Sequence, residues 1–215
     1  TTSLATEVGG YGRSKYNWGK GYNKNPEQIA IEISKNTGLP PELIWAQMAL
    51  ETGHFTSGLA KRHNYGGVKW AGKRSSGNGR SWTVVGEDDR HHSYFDCDES
   101  FVNYMSWYYP RYKKEGLLQA KSPAEWAHAL KLGGYYTADE GHYRSLLESI
   151  IKGNKDVIER LKANRPSNAP SLNMDDSPSK QSSKNNQNNN AGKSISGFLK
   201  AVSDSSKIIK ERIKE

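Results

Sequence analysis

The residue whose type and place most suggest chemistry is Glu51. It closes the apolar run Trp45-Ala46-Gln47-Met48-Ala49-Leu50, and Gly53 follows at once. The run reads as a helix, so this carboxyl stands at the helix C-terminus. That end carries roughly half a negative charge and disfavours a second anion. Met48, Ala49 and Leu50 also call for burial, and burial raises a carboxyl pKa. A group so placed suits a general acid working near neutral pH. The competing reading is an exposed glutamate in a last helical turn.

A second acidic cluster, Glu87, Asp88 and Asp89, lies in a turn-like stretch beside His91 and His92. The histidine and carboxylate spacing fits no zinc motif, so no metal is expected. The single Cys97 rules out an intramolecular disulfide and has no histidine at a diagnostic spacing, which argues against a cysteine nucleophile. Trp70, Trp82 and Tyr65 could offer flat faces to a ligand, or could simply be core.

Positioning these groups takes a set of short helices and one hairpin. Asn25-Pro26-Glu27-Gln28 reads as a capped helix start, with Ile29, Ala30 and Ile33 on its apolar face. Pro40-Pro41-Glu42 starts the helix that carries Glu51, and Gly53 stops it. Ser81 to Val85 is β-prone, Gly86-Glu87-Asp88-Asp89 turn-like, and His91 to Phe95 a returning strand. Asp98 is expected to cap a helix bearing Phe101, Met105 and Tyr108, ended by Pro110. Ser122-Pro123-Ala124-Glu125 and Thr137-Ala138-Asp139-Glu140 read as two capping boxes, the first helix stopping at Gly133-Gly134. Behind the second box, Tyr143, Leu146, Leu147, Ile150, Ile151, Val157, Ile158 and Leu161 form one long apolar stripe.

Around this core the composition changes. The 215-residue chain is 34% hydrophobic, low for a fully packed globule. Residues 1–24 lack periodicity and read as an extended arm, ahead of a domain at 25–163. Residues 164–193, rich in Asn, Ser, Lys and Pro, read as a disordered linker. Ile195, Phe198, Leu199, Val202, Ile209 and Ile213 then fall at helical spacing among lysines. A helix over 194–215 cannot bury its own stripe and should dock on a protein partner, a membrane surface or the domain itself; the alternative is a frayed tail. No apolar run of transmembrane length exists. A net charge of +8 suits a polyanionic surface, such as bacterial wall polymers, nucleic acid or phospholipid. No nucleic-acid-binding signature accompanies it.

Ordered blocks carry a family resemblance over residues 25–163. Ala46-Gln47-x-x-Leu50-Glu51-Thr52-Gly53, Ser57-x-Leu59-Ala60 and Asn64-Tyr65-Gly66-Gly67-Val68-Lys69 make up the first stretch. Tyr94-Phe95 with Asp98-Glu99-Ser100-Phe101, and Gly134-Tyr135-Tyr136-Thr137 with Tyr143, follow. Together they resemble the peptidoglycan glucosaminidases of glycoside hydrolase family 73, which includes autolysins and the wall-cutting domain of the flagellar rod protein.

The resemblance implies an α+β, mainly helical, lysozyme-like domain with a small hairpin lobe. It implies an endo-β-N-acetylglucosaminidase on peptidoglycan glycan strands, without a cofactor. Glu51 would be the acid. Glu87 would be the second catalytic group, with Asp88 or Asp89 as alternatives because this hairpin is short. Tyr135 would stand beside the glutamate, and Asn64, Tyr65, Gly67, Lys69, Trp70, Trp82 and Tyr143 would contact substrate. If the second carboxylate lies too far away, the substrate's own 2-acetamido group could be the nucleophile. A muramidase or lytic transglycosylase using the same glutamate, or a basic wall-binding module without catalysis, are the rivals. The first residues show no signal-peptide pattern. The expected setting is therefore a virion or the extracellular wall, with residues 194–215 attaching the enzyme to an assembly.

Overall fold

The structure is a computed structural model that describes residues 25–70 and 84–174, apart from the side chain of Val85. The expected arm at 1–24, the expected loop and strand start with Trp82, the expected linker from 175 and the expected helix at 194–215 lie outside the described residues.

The domain is built around one helix that is apolar on nearly every side. α1 runs Pro26–Thr37 and α2 Pro41–Glu51. Every residue of α2 from Pro41 to Ala49 is buried. A helix that is hydrophobic all round belongs inside a protein, and α1, α6 (Glu140–Gly153) and α7 (Lys155–Ala163) pack against this one. The short α3 (Gly58–Lys61) follows it. α4 (Asp98–Tyr108) leads into a 3₁₀ turn at Tyr109–Tyr112, and α5 (Pro123–Leu132) precedes α6. Phe95, Phe101, Tyr104, Tyr109 and Trp126 are the largest fully buried aromatic side chains of the core.

The described β structure is one antiparallel hairpin, β1 (Val84–Glu87) with β2 (Ser93–Phe95). Gly86 faces Tyr94 across a bulge, and a Cβ there would lie 2.2 Å from the Tyr94 hydroxyl. Beside β2 runs the 64–70 segment: Ser93 N–H donates to Val68 O (2.9 Å) and Trp70 N–H to His91 O (2.7 Å). The mainly helical domain with a small hairpin lobe is thus present. Among the described residues no helix is long and apolar enough to cross a membrane.

Several local expectations shift. The Asn25 box forms on both sides: Gln28 N–H donates to Asn25 (2.8 Å) and Asn25 N–H to Gln28 (3.2 Å). Ser122 caps α5, but Glu125 accepts from Lys121 N–H (2.8 Å), not from the cap residue. Asp98 does not cap α4. Its carboxylate accepts from Tyr65 Oη (2.6 Å) and pairs with His63 Nδ1 (2.6 Å), and Cys97 takes the cap position. Asp139, not Thr137, caps α6 through His142 N–H (2.8 Å). Gly86 and Glu87 belong to β1, so the turn begins at Asp88. The long C-terminal stripe is two helices, broken at Asn154.

Packed chain also continues past Ala163. Arg165 Nη2 donates to the fully buried Glu42 Oε1. Leu172 packs against the core, and Asn173 N–H donates to Lys121 O (2.6 Å). The polar composition from 164 onward therefore does not mark the point where packing stops.

Candidate active site

A cleft of about 570 Å³ opens at the C-terminal end of α2. Glu51 lines it, and so do Gly67, Lys69 and Trp70 from the loop after α3. Tyr135 and Tyr136 from the α5–α6 connection and Tyr143 from α6 complete this part of the lining. Residues far apart in sequence meet here because α6 packs along α2 while the loop after α3 folds back over the end of α2.

Three devices hold the Glu51 carboxyl. First, the chain leaves α2 sharply. Thr52 Oγ1 donates to Met48 O (2.6 Å), and Gly53, His54 and Phe55 all take positive φ (54°, 56° and 65°). Two of these are non-glycine residues in the left-handed region, an uncommon arrangement. Phe55 is kept there by packing on Trp45 (5.6 Å) and Tyr65 (6.3 Å).

Second, the 64–68 loop is pinned from behind. The Asn64 amide donates to Val68 O (2.9 Å) and Ser93 O (2.7 Å) and accepts from Val68 N–H (2.9 Å). Tyr135 Oη donates to Gly66 O. Gly67, at φ +60°, can then approach the carboxyl closely; a Cβ there would sit 2.9 Å from Glu51 Oε2.

Third, Tyr143 Oη donates to Glu51 Oε1 (3.2 Å), and the Tyr143 ring is stacked on Tyr136 at 3.9 Å. Burial pushes the Glu51 carboxyl up to about 7, against a smaller lowering by this hydrogen bond. A carboxyl at that value is partly protonated near neutrality and can both give and retake a proton. Burial and the neighbouring Glu51 charge likewise push the Tyr143 hydroxyl well above its ordinary range, so it stays a donor.

The other sequence candidates are distributed unevenly. Gly67, Lys69, Trp70, Tyr135 and Tyr143 join Glu51 on the cleft. Asn64 is fully buried and holds the loop, while Tyr65 is buried with its hydroxyl on Asp98; both serve the site from behind. Trp82 lies outside the described residues. Glu87 does not line the cleft; its side chain is 43% exposed and lies 3.6 Å from His91 Nδ1. Asp88 is only 4% exposed and holds the turn together. It pairs with Arg62 Nη1 (2.5 Å) and accepts from the backbone N–H of Arg90 (3.0 Å) and His92 (2.9 Å). Desolvation works to raise its pKa, but those hydrogen bonds and the neighbouring His92 and Arg62 together lower it. Asp89 is exposed. Among the described residues that line the cleft, Glu51 is the one carboxylate.

His92, Tyr108 and Tyr136 also line the cleft, a place the sequence did not indicate. Tyr136 lies inside a family block, His92 reads from sequence only as a neighbour of the acidic turn, and Tyr108 only as part of an apolar helix face. No group of three metal-ligating side chains comes together among the described residues.

Comparison with known proteins adds the family. The profile of the Glucosaminidase family, described as mannosyl-glycoprotein endo-beta-N-acetylglucosaminidase, matches residues 27–156. A peptidoglycan hydrolase mutant from Sphingomonas sp. A1 is similar in structure, with TM-score 0.45 and 23% identity over 64% of this chain and 94% of that one. The catalytic domain of the autolysin Auto from Listeria monocytogenes gives TM-score 0.42 and 22% identity over 62% of this chain and 81% of that one. No curated protein sequence matches significantly.

Proposed function

The chain belongs to the glucosaminidase family of glycoside hydrolases, and from that premise we propose that it cuts peptidoglycan as an endo-β-N-acetylglucosaminidase with Glu51 as its general acid. The observation that carries the reading is the Glu51 carboxyl: on a cleft, free of any cationic partner among the described residues, and raised to about 7. The peptidoglycan substrate follows from the sequence resemblance and from the net charge of +8, which favours an anionic wall.

In this scheme protonated Glu51 gives its proton to the glycosidic oxygen as the C1–O bond breaks. Positive charge develops at C1 and the ring oxygen. A partner must then meet C1 from the other side. The described cleft wall carries no second carboxylate, and Asp88 is committed to Arg62 and the hairpin turn. This favours the substrate's 2-acetamido oxygen as the nucleophile, closing a ring on C1. Glu51, now ionised, takes a proton from the water that reopens that ring. Tyr143 steadies the carboxylate form, and Tyr135 fixes the Gly66–Gly67 backbone beside it.

The test is clearance of purified cell walls, followed by analysis of the new reducing ends. Free N-acetylglucosamine ends are expected. Free N-acetylmuramic acid ends, or anhydro ends, would replace this reading with a muramidase or a lytic transglycosylase. No clearance would leave a wall-binding module.

A further inference from the structure

A second pocket adjoins the cleft and has no part in the chemistry above. Trp107, Tyr108, Arg111, Tyr112, Glu115 and Gly133 enclose about 340 Å³. Tyr108 lines both spaces, and the consecutive Gly133 and Gly134 line one each, so the two are neighbours on the domain. Gly133 is needed for the wall itself: a Cβ there would lie 2.1 Å from the Tyr112 ring.

Its polar groups form an opposed pair left apart. The Arg111 guanidinium lies over the Trp107 ring, 4.8 Å from its centroid. Such stacking leaves the N–H edge of the guanidinium available to an acceptor. Glu115, four residues on, also lines the pocket, and its Oε2 takes no hydrogen bond from Arg111. Glu115 Oε2 is shielded from solvent and receives no hydrogen bond. A shielded carboxylate oxygen without a donor is costly, which marks a place for a ligand's N–H. The pocket thus presents a cation edge, an anion and aromatic walls.

Sugar hydroxyls can bond either group, but a cation and an anion held apart are matched in charge only by a ligand that carries both. We propose that this pocket receives the peptide stem of the wall glycan, with a stem carboxylate on Arg111 and the ammonium of the stem's diamino acid on Glu115. The identity of the ligand rests on the peptidoglycan reading; the charge pattern does not. A stem hangs from every second sugar, so a glycan seated at Glu51 carries one within reach of an adjoining pocket.

The test uses the full chain and a synthetic stem, L-Ala–γ-D-Glu–L-Lys–D-Ala, by calorimetric titration. Saturable binding is expected, weakened about tenfold or more in Arg111→Gln and in Glu115→Gln. Acetylating the lysine should weaken wild-type binding but leave Glu115→Gln unchanged. On walls, Arg111→Gln should raise KM with kcat preserved, and on glycan stripped of peptide by an amidase it should behave as wild type. Absence of saturable binding, or equal losses on intact and stripped glycan, would overturn the proposal. Cleavage of stripped glycan with no stem binding sinks this inference alone. Stem binding without any glycan cleavage sinks the glycosidase reading alone.

Discussion

Glu42 and Glu51 stand at opposite ends of the same buried helix, and their neighbours make them different groups. Glu42 is in the first turn of α2, where the helix dipole favours an anion, and Arg165 reaches across 123 residues to bond it. Glu51 is in the last turn, where the dipole opposes an anion, and its partner is the Tyr143 hydroxyl. Burial is common to both. What separates a structural anchor from the proposed proton carrier is the cation, present at one end and replaced at the other by a phenol and an open cleft. Substitutions at either end can exchange or erase that difference.

The largest effect is expected from Glu51→Gln. The amide keeps the shape and cannot give a proton, so wall clearance should fall on the order of a thousandfold or more, where one acid–base group commonly gives ~10²–10⁴. Stability should move the other way. The folded carboxyl titrates near 7 against an ordinary value of 4.5, so the fold favours its protonated form. That contribution is full below 4.5 and is lost as pH rises through 7. The variant, neutral throughout, should match wild type at low pH and gain up to about 3 kcal/mol above pH 7. Melting curves at the two pH extremes check this; a variant no more stable at the alkaline end would mean that Glu51 is not burdened by burial.

At the other end, Arg165→Ala should leave Glu42 buried and uncompensated. Breaking a buried pair in this way costs about 3–5 kcal/mol. Activity per folded molecule should hold, because neither residue lines the cleft. Adding Glu42→Gln should recover part of the loss. A chain ending at Ala163 should show the same defect, and one ending at Met174 should not, since it keeps Arg165, Leu172 and Asn173. Chemical denaturation of the four chains decides it. Equal stability of all four would make the Arg165 contact incidental.

Tyr143→Phe probes the milder partner. The ring should stay stacked on Tyr136, so only the hydrogen bond goes. That bond lowers the Glu51 pKa, so its loss moves the pKa further up, and the alkaline limb of the kcat profile should shift to higher pH. At neutral pH kcat should fall by roughly threefold to tenfold, the worth of one ordinary hydrogen bond. A limb that moves down instead would mean that Tyr143 does not stabilise the ionised form.

How much of this was readable beforehand depended on how local each cause was. α2 was legible because an unbroken apolar run follows a Pro-Pro start, and Glu51 stood out as a carboxyl among residues that need burial. The Asn25 cap was legible because both partners lie within four residues. Asp98 looked like a cap by the same rule, yet Tyr65 and His63 from another segment hold its carboxylate. Thr137 lost its place to Asp139; Lys131 Nζ holds the Thr137 and Ala138 carbonyls (2.9 and 2.6 Å), so the helix starts later. Arg165 sits in a stretch whose composition says nothing of Glu42. The family blocks identified the loop that faces Glu51, but could not say that Asn64 and Tyr65 would work from behind it.

The smallest activity effect is expected in the hairpin, and it sharpens the comparison by asking whether Glu51 works alone. Glu87 is exposed beside His91, off the described cleft wall, so Glu87→Gln should lower wall clearance by less than about tenfold, below what one acid–base group commonly contributes. Asp89→Asn should do no more. Asp88→Asn should act differently: it weakens the Arg62 pair and the turn, so it should lower the melting temperature while the folded enzyme keeps its kcat. The three variants are read together by clearance rate and thermal unfolding. A drop of about a hundredfold or more at Glu87 with an unchanged melting temperature would fall in the range of a true catalytic group. The acetamido mechanism would then give way to a second carboxylate brought over the substrate by the hairpin. Small effects at Glu87 and Asp89, with only stability lost at Asp88, would leave Glu51 as the one protein carboxylate in the reaction, its opposite number supplied by the sugar.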